Sequence, residues 1–321
     1  MKRKALKAVG AIVFACLAGA ASAQSQSPIS LVVPFGAGGP SDVLARITAQ
    51  KMSEYLGQTI VVENKPGATG GIGTRHVAQS KPDGRTLLLA SSSSMTTGPL
   101  LAPEIKFDPV NDFIPIGLIA NDEIMLTVHP TLPVHSAKEF LEYAKSRPGE
   151  LSYSTSGVGS AYHLATEEFS SLLGIEMIHV PYGGTAQAVN DFLAGTVQMQ
   201  LQAISQGRPH YETGKLRPLA VLSLEGNPRY PDMPVLAEEL DLPGFHFSIW
   251  MGVFAPAATP ADEVERLRDA MQKALASDEV RERILAQGFS LIDMTPEQIK
   301  SQISSDLNKW AGILKRLDII K

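Results

Sequence analysis

Along this chain, short runs of aliphatic and β-branched residues alternate with longer stretches in which apolar positions recur every three or four residues. Residues 29–33 (ISLVV) form a nearly continuous apolar run, the pattern of a parallel strand covered on both faces. Over 42–56 the apolar positions Val43, Leu44, Ile47, Met52 and Tyr55 fit one face of a helix, and Gly57 stops it. A strand is predicted over 59–63, a helix over 71–80, and a strand over 86–90 after the turn Pro82-Asp83-Gly84. Two more strands are predicted at 113–120 and 124–128. The pattern then restarts. It predicts a helix over 137–146, a strand over 151–154, a helix over 161–173, a strand over 176–180, a helix over 186–193 and strands at 197–201, 216–223 and 250–255. The last predicted helices are 261–276, 277–287 and 296–317.

Such alternation predicts an α/β fold, with parallel or mixed sheets flanked by helices. Two successive runs of it predict two α/β lobes, which suits 321 residues at about 150 per domain. No proline-rich or low-complexity linker separates the runs, and the strands near 124–128 and 216–223 are the expected crossings between lobes.

The first 23 residues stand outside this pattern. Lys2, Arg3, Lys4 and Lys7 precede an apolar run from Val9 to Ala20, and Ala21-Ser22-Ala23 is a small-x-small cleavage site. This is the pattern of a secretory signal; the run is short of the roughly 20 apolar residues that a membrane span needs. Cleavage after Ala23 would take away the lone cysteine, Cys16, and four basic residues. It would leave 24 basic against 33 acidic residues, a net charge of −9 in place of −5. A thiol-free, acidic exported chain is expected, suited to an oxidising compartment and ill suited to nucleic acid.

Four strand-to-helix turns are rich in glycine and hydroxyl residues. They are Pro34 to Asp42 (PFGAGGPSD), Ser91 to Ser94, Ser154 to Ser160 (STSGVGS) and Pro181 to Thr185 (PYGGT). A helix start leaves backbone N–H groups unpaired and carries partial positive charge, glycine lets the backbone approach a ligand, and ligands of open α/β sheets collect beyond the carboxyl ends of strands. Anion binding is the chemistry these turns favour. Known catalytic signatures are missing: the chain has no Gly-x4-Gly-Lys-Ser/Thr, no Gly-x-Gly-x-x-Gly in the glycine turns, no Gly-x-Ser-x-Gly, and no His-x3-His among its seven histidines. A hydrolase built on Ser156 or Ser160 with His163 is disfavoured, because Ser160 and His163 fall on one first helical turn. No catalytic residue, metal or cofactor is expected.

The residues 29–42 (ISLVVPFGAGGPSD) with Ala45-Arg46 resemble the opening of the tripartite tricarboxylate transporter substrate-binding receptors, also called the Bug family. The resemblance continues in order through 56–66 (LGQTIVVENKP), 82–89 (PDGRTLLL), 156–165 (SGVGSAYHLA), 180–184 (VPYGG), 214–221 (GKLRPLAV) and 250–260 (WMGVFAPAATP), and so covers almost the whole chain. It implies a two-lobed type II periplasmic binding protein, or Venus flytrap, with a small carboxylate in the cleft. One lobe would comprise 24–126 and 223–321, the other 127–222. Carried onto this sequence, the resemblance implies ligand-binding roles for Phe35, Gly38, Gly39, Ser41 and Asp42 in the first lobe. In the second it implies Ser156, Gly157, Ser160, His163, Tyr182, Gly183, Gly184 and Thr185. Two stretches depart from the family pattern: 91–96, with Ser92 and Ser93, and 201–203, where Gln202 stands in place of an acid. An amide there removes a charge and supplies donors, so the expected pocket accepts a second carboxylate or another acceptor-rich end.

The function implied is a monomeric periplasmic solute-binding protein. It would capture a small organic carboxylate or dicarboxylate and deliver it to the membrane components of a tripartite tricarboxylate-type transporter. The alternative is a receptor that presents the bound carboxylate to the ectodomain of a two-component sensor kinase. Neither involves nucleic acid.

Overall fold

The expected alternation closes into sheets that share one long strand. The computed structural model describes residues 27–227 and 229–320, so the segment expected to be a signal lies outside the described residues. Strands β1 (Ile29–Val33), β2 (Ile60–Asn64) and β3 (Thr86–Ser91) pair in parallel, with β1 in the middle. The central member of the molecule is β4 (Phe113–Val128). Beyond it come β5 (Ser152–Thr155), β6 (Ile178–Pro181), β7 (Met199–Ala203), β8 (Arg217–Val221), β9 (Ser248–Pro256) and the two-residue β10 (Ser290–Leu291). The order along the sheet is β2-β1-β3-β9-β4-β7-β5-β6, with β8 and β10 also paired to β4.

β4 changes partners midway. Phe113 to Glu123 pair antiparallel with β9, and Ile124 to Val128 pair antiparallel with β7; Met125 to Val128 also carry β8. The sequence pattern predicts two strands here because Asn121-Asp122-Glu123 interrupts the apolar run. The backbone nevertheless continues through them, with Asn121, Asp122 and Glu123 opposite Trp250, Ile249 and Ser248. A strand needs only its backbone groups paired, and the polar side chains are held by partners described below.

Helix α1 (Pro40–Leu56) starts with proline in its first turn and ends at Gly57 in the left-handed conformation (φ +61°), as its sequence predicts. Its Leu44, Ile47 and Met52 pack with β1 and with α10 (Ala261–Ala276) in the core of the first sheet. On the second sheet, α5 (Ala137–Lys145), α6 (Ala161–Leu173) and α7 (Thr185–Leu193) follow the strands in turn. Phe140 of α5 stacks on Phe169 of α6 within that core. Three short helices were not foreseen. Residues 91–94, expected as a loop, contain the turn α3 (Ser92–Met95) with a reciprocal Ser91–Ser94 capping box, then α4 (Thr97–Leu101). The third, α9 (Leu236–Glu239), lies between β8 and β9. A further helix, α8 (Ile204–Glu212), follows β7 and contains Pro209; a breaker so placed hides the helix from sequence reading.

The remaining helices are α2 (Gly71–Ala78), α11 (Asp278–Ala286) and α12 (Pro296–Arg316). α12 joins both halves. Its Ile299 and Ile303 pack with Trp250 and Phe254 beside the first sheet; its Trp310, Ile313 and Leu314 belong to the core of the second. Lys309 adds an ion pair of 3.0 Å to Glu168 of α6. The segment 223–321, placed with one lobe by the sequence reading, therefore divides its packing between the two sheets. Among the described residues, no helix is long and apolar enough to cross a membrane.

Candidate functional site

The turns at the carboxyl ends of β1, β3, β5 and β6 face one hollow of about 230 Å³. Its wall from the first sheet consists of Phe35, Gly39, Pro40, Ser41, Thr69, Ser91 and Ser93. From the second come Ser156, Ser160, Ala161, Tyr162, Thr185 and Gln206, and between them lie Asp122, Ile249 and Met251 at the partner change of β4. Of the residues expected at the site, Phe35, Gly39, Ser41, Ser93, Ser156, Ser160 and Thr185 are thus brought together.

The first turn is shaped by Asp42. Its carboxylate is buried and turned back onto the loop, where it accepts the Gly38 N–H (2.9 Å), both arms of Arg46 (3.0 Å each) and the Asn64 amide (3.0 Å). Burial alone raises its pKa, but the hydrogen bonds from Arg46, Gly38 and Asn64 outweigh it and hold it below the usual carboxylate range. Gly38 takes φ +81°, which glycine allows and a side chain would resist. Neither residue lines the hollow; both brace the loop that does. The N-cap of α1 is Gly39, with no side-chain cap, so the leading amides are left for water or a ligand.

Below this turn, Ala68 and Thr69 have φ of +48° and +52°, a left-handed conformation that non-glycine residues seldom adopt. Thr69 lines the hollow, so backbone strain sits at its rim. Gly70 next to it has no room for a side chain: a Cβ would stand 2.8 Å from Ser94 Cβ and 3.3 Å from Phe35. Ser92 points elsewhere and borders a second hollow with Thr96, Trp250 and Trp310.

The third turn rests on stacked histidines. The His163 ring lies 4.0 Å from His179, which in turn lies 4.9 Å from Tyr153. His163 Nδ1 accepts the Gly159 N–H (3.1 Å), which puts its proton on Nε2, facing Glu167. Burial holds the His163 pKa below its ordinary value against the pull of Glu167; burial, with His163, pushes His179 down to about 4. His163 therefore braces the turn as a neutral acceptor and does not line the hollow. Gly157, at φ +138°, likewise shapes the turn, its N–H donated to Thr155 Oγ1 (3.2 Å). Ser160 lines the hollow while its Oγ accepts the His163 N–H (3.3 Å) as N-cap of α6.

At the fourth turn the Tyr182 hydroxyl donates to Asp191 (2.7 Å) and is directed away from the hollow. Burial and Asp191 push its pKa up to about 12. Gly183 and Gly184 carry the chain to Thr185 without lining the hollow themselves, and α7 starts there with no side-chain cap. Gln202 is buried beside a small void of about 10 Å³ bounded by Ser156, Tyr162, Thr185 and Gln206, which also face the main hollow. Both of its amide atoms lack partners, so it has donor and acceptor capacity to spare.

Ser91 lies in a turn expected to bind, though no ligand role was assigned to it; Thr69, Asp122, Ala161, Tyr162, Gln206, Ile249 and Met251 are lining residues that the sequence did not single out. A signal did exist for one of them: Asp122 lies in a polar triplet inside an otherwise apolar strand, and a local rule broken in a core strand marks a functional position. Asp122 is 2% exposed and accepts the Ser205 N–H at Oδ1 (3.2 Å) and the Ser205 hydroxyl at Oδ2 (2.5 Å). Among the described residues, no lysine, arginine or histidine lines the hollow, and no group of histidine, cysteine and acidic side chains is placed to hold a metal.

Residues 44–319 match the family described as tripartite tricarboxylate transporter family receptor, TctC. BugT of Bordetella pertussis is 36% identical over 289 residues, which cover 90% of this chain and 88% of BugT. The periplasmic binding protein BugD superposes with a TM-score of 0.77 at 34% identity, over 91% of this chain and 97% of that one. Rpa4515 of R. palustris, solved with adipate, superposes with a TM-score of 0.80 at 32% identity, over 91% and 97% of the two chains. The mixed α/β fold is that of the periplasmic binding proteins. With its sequence, its fold and its ligand-sized hollow in agreement, the chain belongs to the TctC or Bug family and is a solute-binding receptor, not an enzyme.

Proposed function

We propose that this receptor captures a small organic carboxylate or dicarboxylate in the periplasm and delivers it to the membrane components of a tripartite tricarboxylate-type transporter. The observation that carries the reading is the convergence of the N-termini of α1, α6 and α7 on one hollow that, among the described residues, no basic side chain lines. Backbone amides and the hydroxyls of Ser41, Ser156, Ser160 and Thr185 can hold a carboxylate there. Hydrogen bonds to an ionised acceptor are about twice as strong as neutral ones, and helix N-termini favour negative charge. Adipate, found with Rpa4515, is a ligand of this chemistry. The lobe division expected from the sequence, 24–126 with 223–321 against 127–222, would make this hollow the cleft, with α12 reaching from one core into the other. Hinge closure about β4 and α12 would bury the ligand and exclude water.

A thermal-shift screen of the monomeric protein against aliphatic and aromatic carboxylates tests this. A carboxylate at 100 times its dissociation constant should stabilise the fold by about 2.7 kcal/mol. A panel in which no carboxylate raises the melting temperature would contradict the reading.

A further inference from the structure

The hollow that receives an acid holds a carboxyl of its own. Among the described residues lining it, Asp122 is the sole acid, and no basic side chain faces it. The groups around Asp122 do not neutralise it. Ser205, on α8, supplies neutral donors to both oxygens. The Tyr162 phenol, on α6, is buried and its pKa is raised, by burial first and then by Asp122 itself. Glu123, the next residue of β4, is a second buried carboxyl, and its Oε2 is occupied by the Asn227 amide (2.7 Å).

A buried carboxyl without a cation has two states: it keeps its proton, or it receives a counter-charge. Burial, with a smaller contribution from Glu123, lifts the Asp122 pKa to about 7 against the pull of the Ser205 bonds, so both states are within reach near neutrality. The Ser205 N–H fixes Oδ1 as an acceptor in either state. The hollow is small, so a ligand seated on the helix N-termini has its other end close to this carboxyl. A second carboxylate would meet a like charge there.

We propose that Asp122 makes the pocket selective for small acids that also carry an ammonium group, the carboxylate lying on the loop amides and the ammonium against Asp122. The inference rests on the carboxylate-capture reading and narrows it: the selected ligand brings the positive charge that the pocket lacks. Ionised Asp122 is the binding form, so capture is coupled to release of the proton it holds near neutral pH.

Titration calorimetry on skeleton-matched acids tests the proposal. One series is α- and γ-aminobutyrate against butyrate and succinate; another is para-aminomethylbenzoate against toluate and terephthalate. In each series that binds, an amino acid should be at least about tenfold tighter than its parent acid and the matching diacid, the scale of one charge-assisted contact in a dry site. The advantage should shrink as the pH falls through about 7, and the binding enthalpy near neutrality should vary with the ionisation heat of the buffer, both from Asp122 titrating. Asp122→Asn keeps an oxygen for the Ser205 N–H and should erase the preference, bringing each amino acid to within about twofold of its parent acid in the variant. Parent acids or diacids that bind the wild-type protein as tightly as their amino counterparts would overturn the inference and leave carboxylate capture standing. Retained preference in Asp122→Asn would overturn it too. If no acid binds in either series, with or without an amine, both readings fall.

Discussion

Asp42 shows how a charged residue beside a glycine turn can serve the backbone in place of the ligand. Its carboxylate organises Gly38, Arg46 and Asn64, and these contacts fix the approach of α1 to the hollow. Asp42→Ala should cost about 1 kcal/mol in urea denaturation, because it removes the acceptor that ties the Gly38 N–H and the half-buried Asn64 amide together, while the exposed Arg46 turns to water. Its lowered pKa adds stability that is present above the unfolded value of 3.8 and is lost as the pH falls through the folded one. The histidine stack has a different window. His179 is depressed from 6.5 to about 4, so between those values the unfolded chain binds a proton that the folded one refuses, and stability falls with the pH. Asp122 works in the opposite direction: raised from 3.8 to about 7, it favours the fold at low pH, and that contribution is lost as the pH rises through about 7. His179→Gln should therefore flatten the acid side of a pH–stability curve, while Asp122→Asn should flatten the neutral side. Curves from both variants that overlay the wild type would refute these assignments. Sequence reading named His163 and Asp42 as ligand contacts because motif position does not reveal which way a side chain turns. The hydrogen bonds do.

At the scale of elements, β1 and β3 were legible because they are apolar runs buried on both faces, and the half-exposed edge strand β2 because Gly57 and Pro66 bound its β-branched run. β4 was read as two strands, since polar residues at 121–123 break an apolar pattern even where the backbone pairing is unbroken. α8 was missed because Pro209 and Gly207 are turn residues by composition, and its place is set by packing on β4 and β7. The most consequential element for the whole is α12, whose two halves join different cores. Trp310, 5% exposed, meets Phe247 edge to face with ring centroids 5.8 Å apart. Trp310→Ala should cost about 3–5 kcal/mol, the range for truncating a buried aromatic. A midpoint in chemical denaturation within about 0.5 kcal/mol of wild type would show that this end of α12 does not hold the second sheet.

For the molecule as a whole, the family was legible from ordered motifs that span nearly the entire chain, and so was the α/β class. The composition of the hollow was not, because its floor is assembled from β4, β9, α6 and α8, which are distant in sequence. A chain with an excess of acidic residues can still bind an acid, because the field in a cleft is set by nearby amides and helix ends more than by net charge. Gly39 is where this can be tested cleanly. Its φ is −79°, and a Cβ there would meet only Gly36 O at 3.6 Å, so a side chain fits without strain. The decisive measurement is the affinity of Gly39→Asp, with Gly39→Ala as the steric control, for the carboxylate that most stabilises the wild-type protein. The alanine variant should bind within about threefold of wild type, while the aspartate, competing for the α1 amides, should weaken binding by about a hundredfold or more at an unchanged melting temperature of the free protein. Wild-type affinity in Gly39→Asp would contradict binding at the α1 amides.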